Sequence, residues 1–450
     1  MRMTTATQPP SPSPQTLPDW LALLEARHPV AIELGLERVA AVAARLQLPR
    51  PAPRVVTVAG TNGKGSCVAF MEALLATAGL RSGSYTSPHL LAYNERVRID
   101  GVPVTDAVLC AAFARIETAR GDTRLTYFET GTLAALLILA DAGVDVALLE
   151  VGMGGRLDAV NIVAPDVAVI TSIALDHQAW LGADRDAIGV EKAGIARTEV
   201  PLICGDLEPP AAMLAALKNI GARIVQLGGA DFSLHQCGAE IELVCITAGG
   251  QPLHYRGLPT PRLPSVSAAC AVQALVSLGL TPDAVQVARA FSDTRLAGRF
   301  QEIIWKGRRV ILDVAHNPAA AALLAERLRR LKRGAETAVH AVVGVLGDKD
   351  IAGVLAPLVP EVDRWHCCAL PDAMRGASAN QIAGLLYNAA ANQGVVAVSD
   401  CHLNPAAAFA TALGASRPGE VILVFGSFYT VAPVLALLGN DTAPAGDYNP

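Results

Sequence analysis

The chain lacks an extended basic run, and its formal net charge at pH 7 is −5. Nucleic acids are met by basic patches or stripes, so their recognition is not the main business of this protein. No Cys-x-x-Cys pair occurs among the nine cysteines, and the neighbours Cys367 and Cys368 cannot easily bridge each other. That excludes a disulfide framework and a cysteine zinc site, and it points to reduced thiols in a cytoplasm. Long apolar runs are missing too. The longest, Leu133 to Ala140, is closed by Asp141, far short of the ~20 residues a bilayer span needs. The Pro/Ser/Thr-rich stretch from Met1 to Pro18 has no apolar core and reads as a floppy tail, not a signal peptide. Asn440 to Pro450 also reads as disordered. Charge is scarce at 17% against 52% hydrophobic residues, so a large core is expected. At about 100–200 residues per domain, the length implies two or three domains.

What is present centres on Arg54-Val-Val-Thr-Val-Ala-Gly-Thr-Asn-Gly-Lys-Gly-Ser66. Val55 to Val58 reads as a buried parallel strand, Gly60 to Ser66 as a glycine loop, and Val68 to Ala78 as an apolar helix. This is the setting of a phosphate-binding loop. Glycines let backbone N–H groups converge on phosphate oxygens, the helix N-terminus adds its dipole, and Lys64 adds a point charge. The loop departs from the common G-x-x-x-x-G-K-[ST] form. Position 58 is Val, and Gly65 follows Lys64 where a hydroxyl residue usually holds Mg²⁺. Either Ser66 or a serine from elsewhere must take that place.

Ahead of the loop, Trp20 to Arg27 reads as an amphipathic helix, and Ala31 to Val39 leads into a second that ends near Gln47. Ser87 and His89 fall at the carboxyl end of a short strand, the edge where open parallel sheets bind ligands. A capping serine and a surface histidine read that piece equally well. Val144 to Val151 is a buried strand with Glu150 at its carboxyl end. A carboxylate there is costly unless solvated, paired or on a metal, and metal ligation is the favoured reading. Val167 to Ile173 is a strand leading to Asp176-His177. Lys192 lies inside or near the close of a helix, and Pro201 to Cys204 is a further strand. Residues 222–258 alternate and read as a small antiparallel sheet, followed by a helix from Val266 to Gly279. From Arg295 onward, strands at 309–314, 339–345, 365–370, 395–398 and 421–425 alternate with helices, which argues a doubly wound sheet. The expected division is a tail at 1–17, a phosphate-loop domain at 18–297, a second α/β domain at 298–440 and a tail at 441–450.

Lys64, Ser87, Glu150, His177 and Lys192 thus fall at the carboxyl ends of successive expected strands. They come with G-T-N-G-K-G-S, T-S-P-H-L, Phe128-Glu129, E-V-G-M-G-G-R-L-D-A at 150–159, Asp176-His177, E-K-A-G-I at 191–195, G-R-F at 298–300 and D-V-A-H-N at 313–317. From about Leu17 to Leu438 this set closely resembles the folylpolyglutamate synthase/dihydrofolate synthase family and, more distantly, the Mur ligases. The resemblance implies a P-loop domain with a mostly parallel sheet and a small antiparallel sheet, then a Rossmann-like glutamate-ligase domain. It implies that Thr61, Asn62, Gly63, Lys64, Gly65 and Ser66 hold the ATP triphosphate, and that Ser267, Arg299 and Asp313 reach the nucleotide. Ser87, Glu150 and His177 would ligate Mg²⁺, so that Ser87 supplies the hydroxyl missing after Lys64. Lys192 matches a lysine that is carbamylated and would hold a second Mg²⁺. His316 would lie near glutamate and, with Lys64 and Lys192, form the catalytic set. Ala31, Ile32, Glu33 and Leu34, with Thr126, Tyr127, Phe128 and Glu129 and with Leu157, Asp158 and Ala159, match segments that bind dihydropteroate in bifunctional bacterial members. Two residues depart from the pattern: Ala297 stands where members often have proline, and Ser267 where an asparagine is expected.

The implied chemistry is an ADP-forming amide ligation. A substrate carboxylate attacks the γ-phosphoryl group of ATP, and the amine of L-glutamate then displaces phosphate from the acyl phosphate. The implied partners are small molecules: ATP, L-glutamate, dihydropteroate, and tetrahydrofolate with its polyglutamates. The chain is expected to be a cytoplasmic monomer that binds neither nucleic acid nor membrane. Two rivals are a Mur ligase, which usually has an extra N-terminal domain before the loop, and a nucleotide switch, which would not need Asp313 and His316 on a second α/β unit.

Overall fold

The structure, a computed structural model, describes residues 14–28, 33–229, 232–332 and 337–440. Arg54–Ala59 forms β1, and every side chain after Arg54 is buried. A continuous β-branched run suits a central strand covered on both faces. β1 lies in an eight-stranded sheet with β2 (Ser82–Tyr85), β3 (Val97–Ile99), β4 (Val102–Pro103), β5 (Val146–Glu150), β6 (Val167–Ile170), β7 (Pro201–Cys204) and β8 (Arg223–Gln226). The order is β4-β3-β2-β5-β1-β6-β7-β8. β1 pairs in parallel with β5 on one side and β6 on the other, and β2 is parallel to β5. Four neighbouring strands therefore bring their carboxyl ends to one edge, and β3 runs against them, pairing antiparallel with both β2 and β4.

The helix Lys64–Thr77 starts directly at the glycine loop. It is apolar on most sides because it is covered on most sides. One flank meets the sheet and another meets the helix Ser265–Ser277 in a shared core. Gly63 precedes it at φ +85°, and a Cβ there would run into the Ser267 hydroxyl, so glycine is required twice over.

The small antiparallel sheet is narrower than the alternation at 222–258 implies. It comprises β9 (Ser233–Cys237), β10 (Glu240–Ile246) and β11 (Pro252–Pro259). Residues 223–226 instead extend the main sheet in parallel with β7. A helix that the sequence reading did not anticipate, Ala284–Asp293, is started by a capping box between Asp283 and Gln286.

The second sheet has six strands: β12 (Gln301–Trp305), β13 (Arg308–Asp313), β14 (Val339–Val343), β15 (Arg364–Cys368), β16 (Ser399–His402) and β17 (Val421–Phe425). Their order is β12-β13-β17-β14-β15-β16, and β12 alone is antiparallel. The edge strand is a correction. The valines at 395, 396 and 398 suggested a strand by β propensity, but they are exposed, and the chain pairs with β15 only from Ser399. The partner decides where an edge strand begins. At the other end, the first helix runs Leu17–Arg27 with a Thr16/Asp19 capping box, so the expected tail stops before Leu17. Residues 1–13 and 441–450 of the expected tails lie outside the described residues. Among the described residues no helix is long and apolar enough to cross a membrane.

Candidate active site

The loop between β1 and its helix is held from below by the β6 strand end. Thr61 N–H donates to the Ser172 carbonyl at 2.8 Å, and the Thr171 hydroxyl donates to the Asn62 carbonyl at 2.6 Å. Asn62 N–H donates to the Ser172 hydroxyl at 3.1 Å, and the Thr61 hydroxyl is bonded with Ala174. The rigid neighbour strand thus sets the loop's shape. The Ser267 hydroxyl donates to the Gly63 carbonyl at 3.2 Å. The structure therefore places Ser267 as a support behind the loop, a role the expected nucleotide contact did not foresee. Ser66 is buried in the first turn of the helix.

Two ammonium groups converge on the loop. Lys64 Nζ donates to the carbonyls of Gly60 and Thr61 at 3.0 and 3.3 Å, and Lys192 Nζ donates to the same Gly60 carbonyl at 3.1 Å. Lys192 does not sit at a strand end as expected. It projects from the last turn of the helix Arg185–Ala193, in keeping with the helix expected around it. Burial, with the charge of Lys64 added to it, lowers its pKa to about 7.

Glu150 closes β5 and is buried. Burial pushes its carboxyl above the usual range, while Lys64 and Arg299 pull the other way. Its Oε2 accepts the Ser87 N–H at 3.3 Å. His177 follows β6 in the left-handed region at φ +52°, which is uncommon for a residue with a side chain. Its side chain is 38% exposed, and partial desolvation, with the Lys349 and Lys64 charges adding to it, lowers its pKa to about 4.

The second sheet completes the site. Asp313 at the end of β13 accepts the N–H groups of Phe300 and Ala315, both at 2.8 Å, and so shapes the Gly298–Phe300 turn. Arg299 projects from that turn, partly buried, with its guanidinium 5.1 Å from the Phe428 ring centre. His316 Nδ1 bonds the Val314 carbonyl at 2.8 Å, and its Nε2 lies 3.5 Å from Asp176.

Three residues outside the expected set prove central: Asp176, Asn317 and Lys349. Burial opposes ionisation of Asp176, yet His316, His177 and Lys349 together hold its carboxyl far below the usual range. Lys349 Nζ bonds it directly. Asn317 and Asn62 bond each other through both side-chain amides, at 2.9 and 3.1 Å, across the two sheets. Asp176 and Asn317 sat inside quoted motifs. Lys349 had only its position beyond the β14 strand end to mark it.

The expected pteroate segments line the other half of the cleft. Thr126 and Glu129 form the capping box of the helix Tyr127–Ala142, and Glu129 also accepts Arg38 at 3.0 Å. Arg38 ties Glu33 into the same cluster. Phe128 lies over Gly152, where a Cβ would strike its ring. The Tyr127 ring has the Arg96 guanidinium 5.6 Å from its centre. Asp158 is buried and accepts the Met153 and Val160 N–H groups, and desolvation raises its pKa to about 6. Leu34, Leu157 and Ala159 line the same wall, while Ala31 and Ile32 lie outside the described residues. All of this surrounds one cavity of 920 Å³ that runs from Leu34 and Phe128, past the loop, to His316 and Lys349.

A phosphate loop on a parallel sheet, facing a second doubly wound sheet across such a cleft, defines a ligase of the Mur type. The Mur ligase middle domain matches residues 58–236, and the Mur ligase glutamate ligase domain matches residues 298–428. The chain belongs to the dihydrofolate synthase/folylpolyglutamate synthase family, whose members form C–N bonds and release ADP. It is 44% identical over 422 residues to the dihydrofolate synthase/folylpolyglutamate synthase of Escherichia coli K12, covering 94% of this chain and 95% of that one. The Haemophilus influenzae protein of the same name is 38% identical over 437 residues, covering 94% of this chain and 97% of that one. The structure of E. coli FolC with DHPP and ADP matches with a TM-score of 0.88 at 43% identity, covering 95% of this chain and 99% of that chain. A bifunctional synthase of this kind from Yersinia pestis, complexed with AMPPNP and Mn, matches with a TM-score of 0.84 at 44% identity, covering 94% of this chain and 98% of that chain.

Proposed function

We propose that the protein joins L-glutamate to 7,8-dihydropteroate, giving dihydrofolate, and adds further glutamates to tetrahydrofolates, using ATP and two Mg²⁺ ions. The observation that carries this reading is the single 920 Å³ cavity, which sets an aromatic and apolar half beside a phosphate loop and beside His316. A flat pteridine suits the half around Phe128 and Tyr127, a triphosphate suits the loop, and an amino acid suits the His316 end. The relatives' ligands point the same way: DHPP with ADP in one, and Mn, AMPPNP and L-glutamate in another.

In this reading Lys64 leaves the Gly60 carbonyl to neutralise charge on the phosphoryl group as it transfers. Thr61 to Ser66 supply N–H donors to the phosphates, and Arg299 and Asp313 orient the nucleotide. Asp176 keeps His316 and Lys349 in place beside the incoming amine. The strand-end donors, a carboxylate, a hydroxyl and an imidazole, suit a hard divalent cation, and Glu150 is a buried carboxylate in need of one. When bound, such ions stabilise charge on the transferring group. Lys192, whose pKa near 7 leaves much of the amine neutral, is suited to carbamylation, which turns a cation into an anion able to anchor the second ion. The division at residues 297/298 sets two units face to face, and their closure keeps water from the acyl phosphate.

The test is ADP release from purified protein with dihydropteroate or tetrahydrofolate, each with and without L-glutamate. Glutamate-dependent release with both pterins is expected. Release with tetrahydrofolate alone would reduce the activity to polyglutamylation, and none with either would refute the reading.

A further inference from the structure

Outside the lining of the cleft, the outer part of the second sheet gathers imidazoles. His340 on β14, His366 on β15 and His402 on β16 come from three adjacent parallel strands. Register places them together. His366 pairs with Val342 on one side and Asp400 on the other, and His402 pairs with Cys368. Two-residue alternation then puts His340, His366, Asp400 and His402 on one face. The His340 and His366 rings stack at 5.8 Å and 13°, and the His366 and His402 rings lie 5.6 Å apart.

His366 is completely buried, and neither of its ring nitrogens has a hydrogen-bond partner within the protein. His402 Nε2 is in the same position. Buried polar atoms are seldom left so, and each such case calls for an explanation. Asp400 lies 3.8 Å from His366 Nδ1 and is oriented by Arg364 at 2.9 Å, as ligating carboxylates commonly are by an outer partner. One donor atom from each of His366, Asp400 and His402 falls within 4.8 Å of the others. Ligands of tetrahedral zinc sit roughly 3.3 Å apart, so side-chain rotation closes the set.

We propose that His366, Asp400 and His402 bind a zinc-class divalent cation at this sheet edge, with His340 stacked behind as packing. Two imidazoles and one carboxylate select Zn²⁺ and its d-block neighbours over Mg²⁺, so the site is distinct in chemistry from the cleft.

The probe is Co²⁺, followed by Zn²⁺, added to the chelator-stripped full chain with Mg²⁺ held saturating. Wild type should bind one equivalent of Co²⁺ with the visible bands of a tetrahedral nitrogen/oxygen site. Zn²⁺ should displace it and raise the thermal midpoint. His402→Gln and Asp400→Asn change partly exposed positions, and each should lose both the equivalent and the bands while still melting cooperatively. His177→Ala, in the cleft, should keep them. Equal Co²⁺ binding by wild type and Asp400→Asn would overturn the proposal, as would loss of the bands in His177→Ala.

Discussion

Lys64 and Lys192 donate to one and the same acceptor, the Gly60 carbonyl, at 3.0 and 3.1 Å. Two like charges on one oxygen are tolerable only if one of them gives up its proton readily. Burial makes that one Lys192, with Lys64 adding to the effect. Of the two, Lys192 is the ammonium whose proton the protein holds less firmly.

This pair yields a pH prediction. Unfolded Lys192 holds its proton to about pH 10.4, whereas folded Lys192 releases it near 7. Between those values the unfolded chain binds more protons, so the wild type gains stability from this group as pH rises. Lys192→Met removes the burden. Melts in CO₂-free buffer should show the variant's advantage in full below pH 7 and fading toward pH 10. A difference that stays constant across that range would show that no buried amine titrates there.

Lys64→Ala should lower turnover by a factor on the order of 10²–10³, the usual scale for one lost electrostatic stabiliser. The thermal midpoint should barely move, because the loop is held by Thr61, Asn62 and their β6 partners. Steady-state ADP release at saturating ATP measures this. Wild-type rates would remove Lys64 from the chemistry.

Glu150→Gln and His177→Ala should each shift the Mg²⁺ dependence of activity to higher concentration. The measurement is a Mg²⁺ titration at fixed ATP. Titrations that overlay the wild type in both variants would count against either residue as a ligand.

Asn317→Ala breaks the paired amides that tie the second sheet to Asn62. Loss of such a bond costs about 1 kcal/mol in stability. The larger expected effect is on coupling. With poorer closure, water competes for the acyl phosphate, and ADP released per glutamate incorporated should rise above one. A ratio unchanged from wild type would mean that the amide pair does not serve closure.

Gly152→Ala puts a methyl group into the Phe128 ring. The ring must swing away, so KM for the pterin substrate should rise while KM for ATP holds. If both constants stay at wild-type values, Phe128 does not contact the pterin.

Much of the site was readable because its pieces are local. A β-branched run, a glycine loop and an apolar helix follow one another at 55–78, and each needs only its neighbours to be recognised. The motif residues of the second sheet, Arg299, Asp313 and His316, were legible for the same reason. Lys349 was not, because nothing in its own stretch marks it: its meaning comes from Asp176, 173 positions earlier in the chain.

The sequence by itself determined the class of fold, the phosphate loop and the family, since strand and helix periods and contiguous motifs are written in neighbouring residues. Only the tertiary structure decided that Lys192, on its helix, shares Lys64's acceptor. It likewise decided that Ser267 braces the loop from behind and that Asp176 gathers His316 and Lys349. It also moved the last edge strand from the valines to Ser399–His402, where it meets its neighbour. The physical reason is common to all four. Strand pairing and charge pairing between distant segments depend on which surfaces face each other after folding, and a local pattern carries no record of its partner.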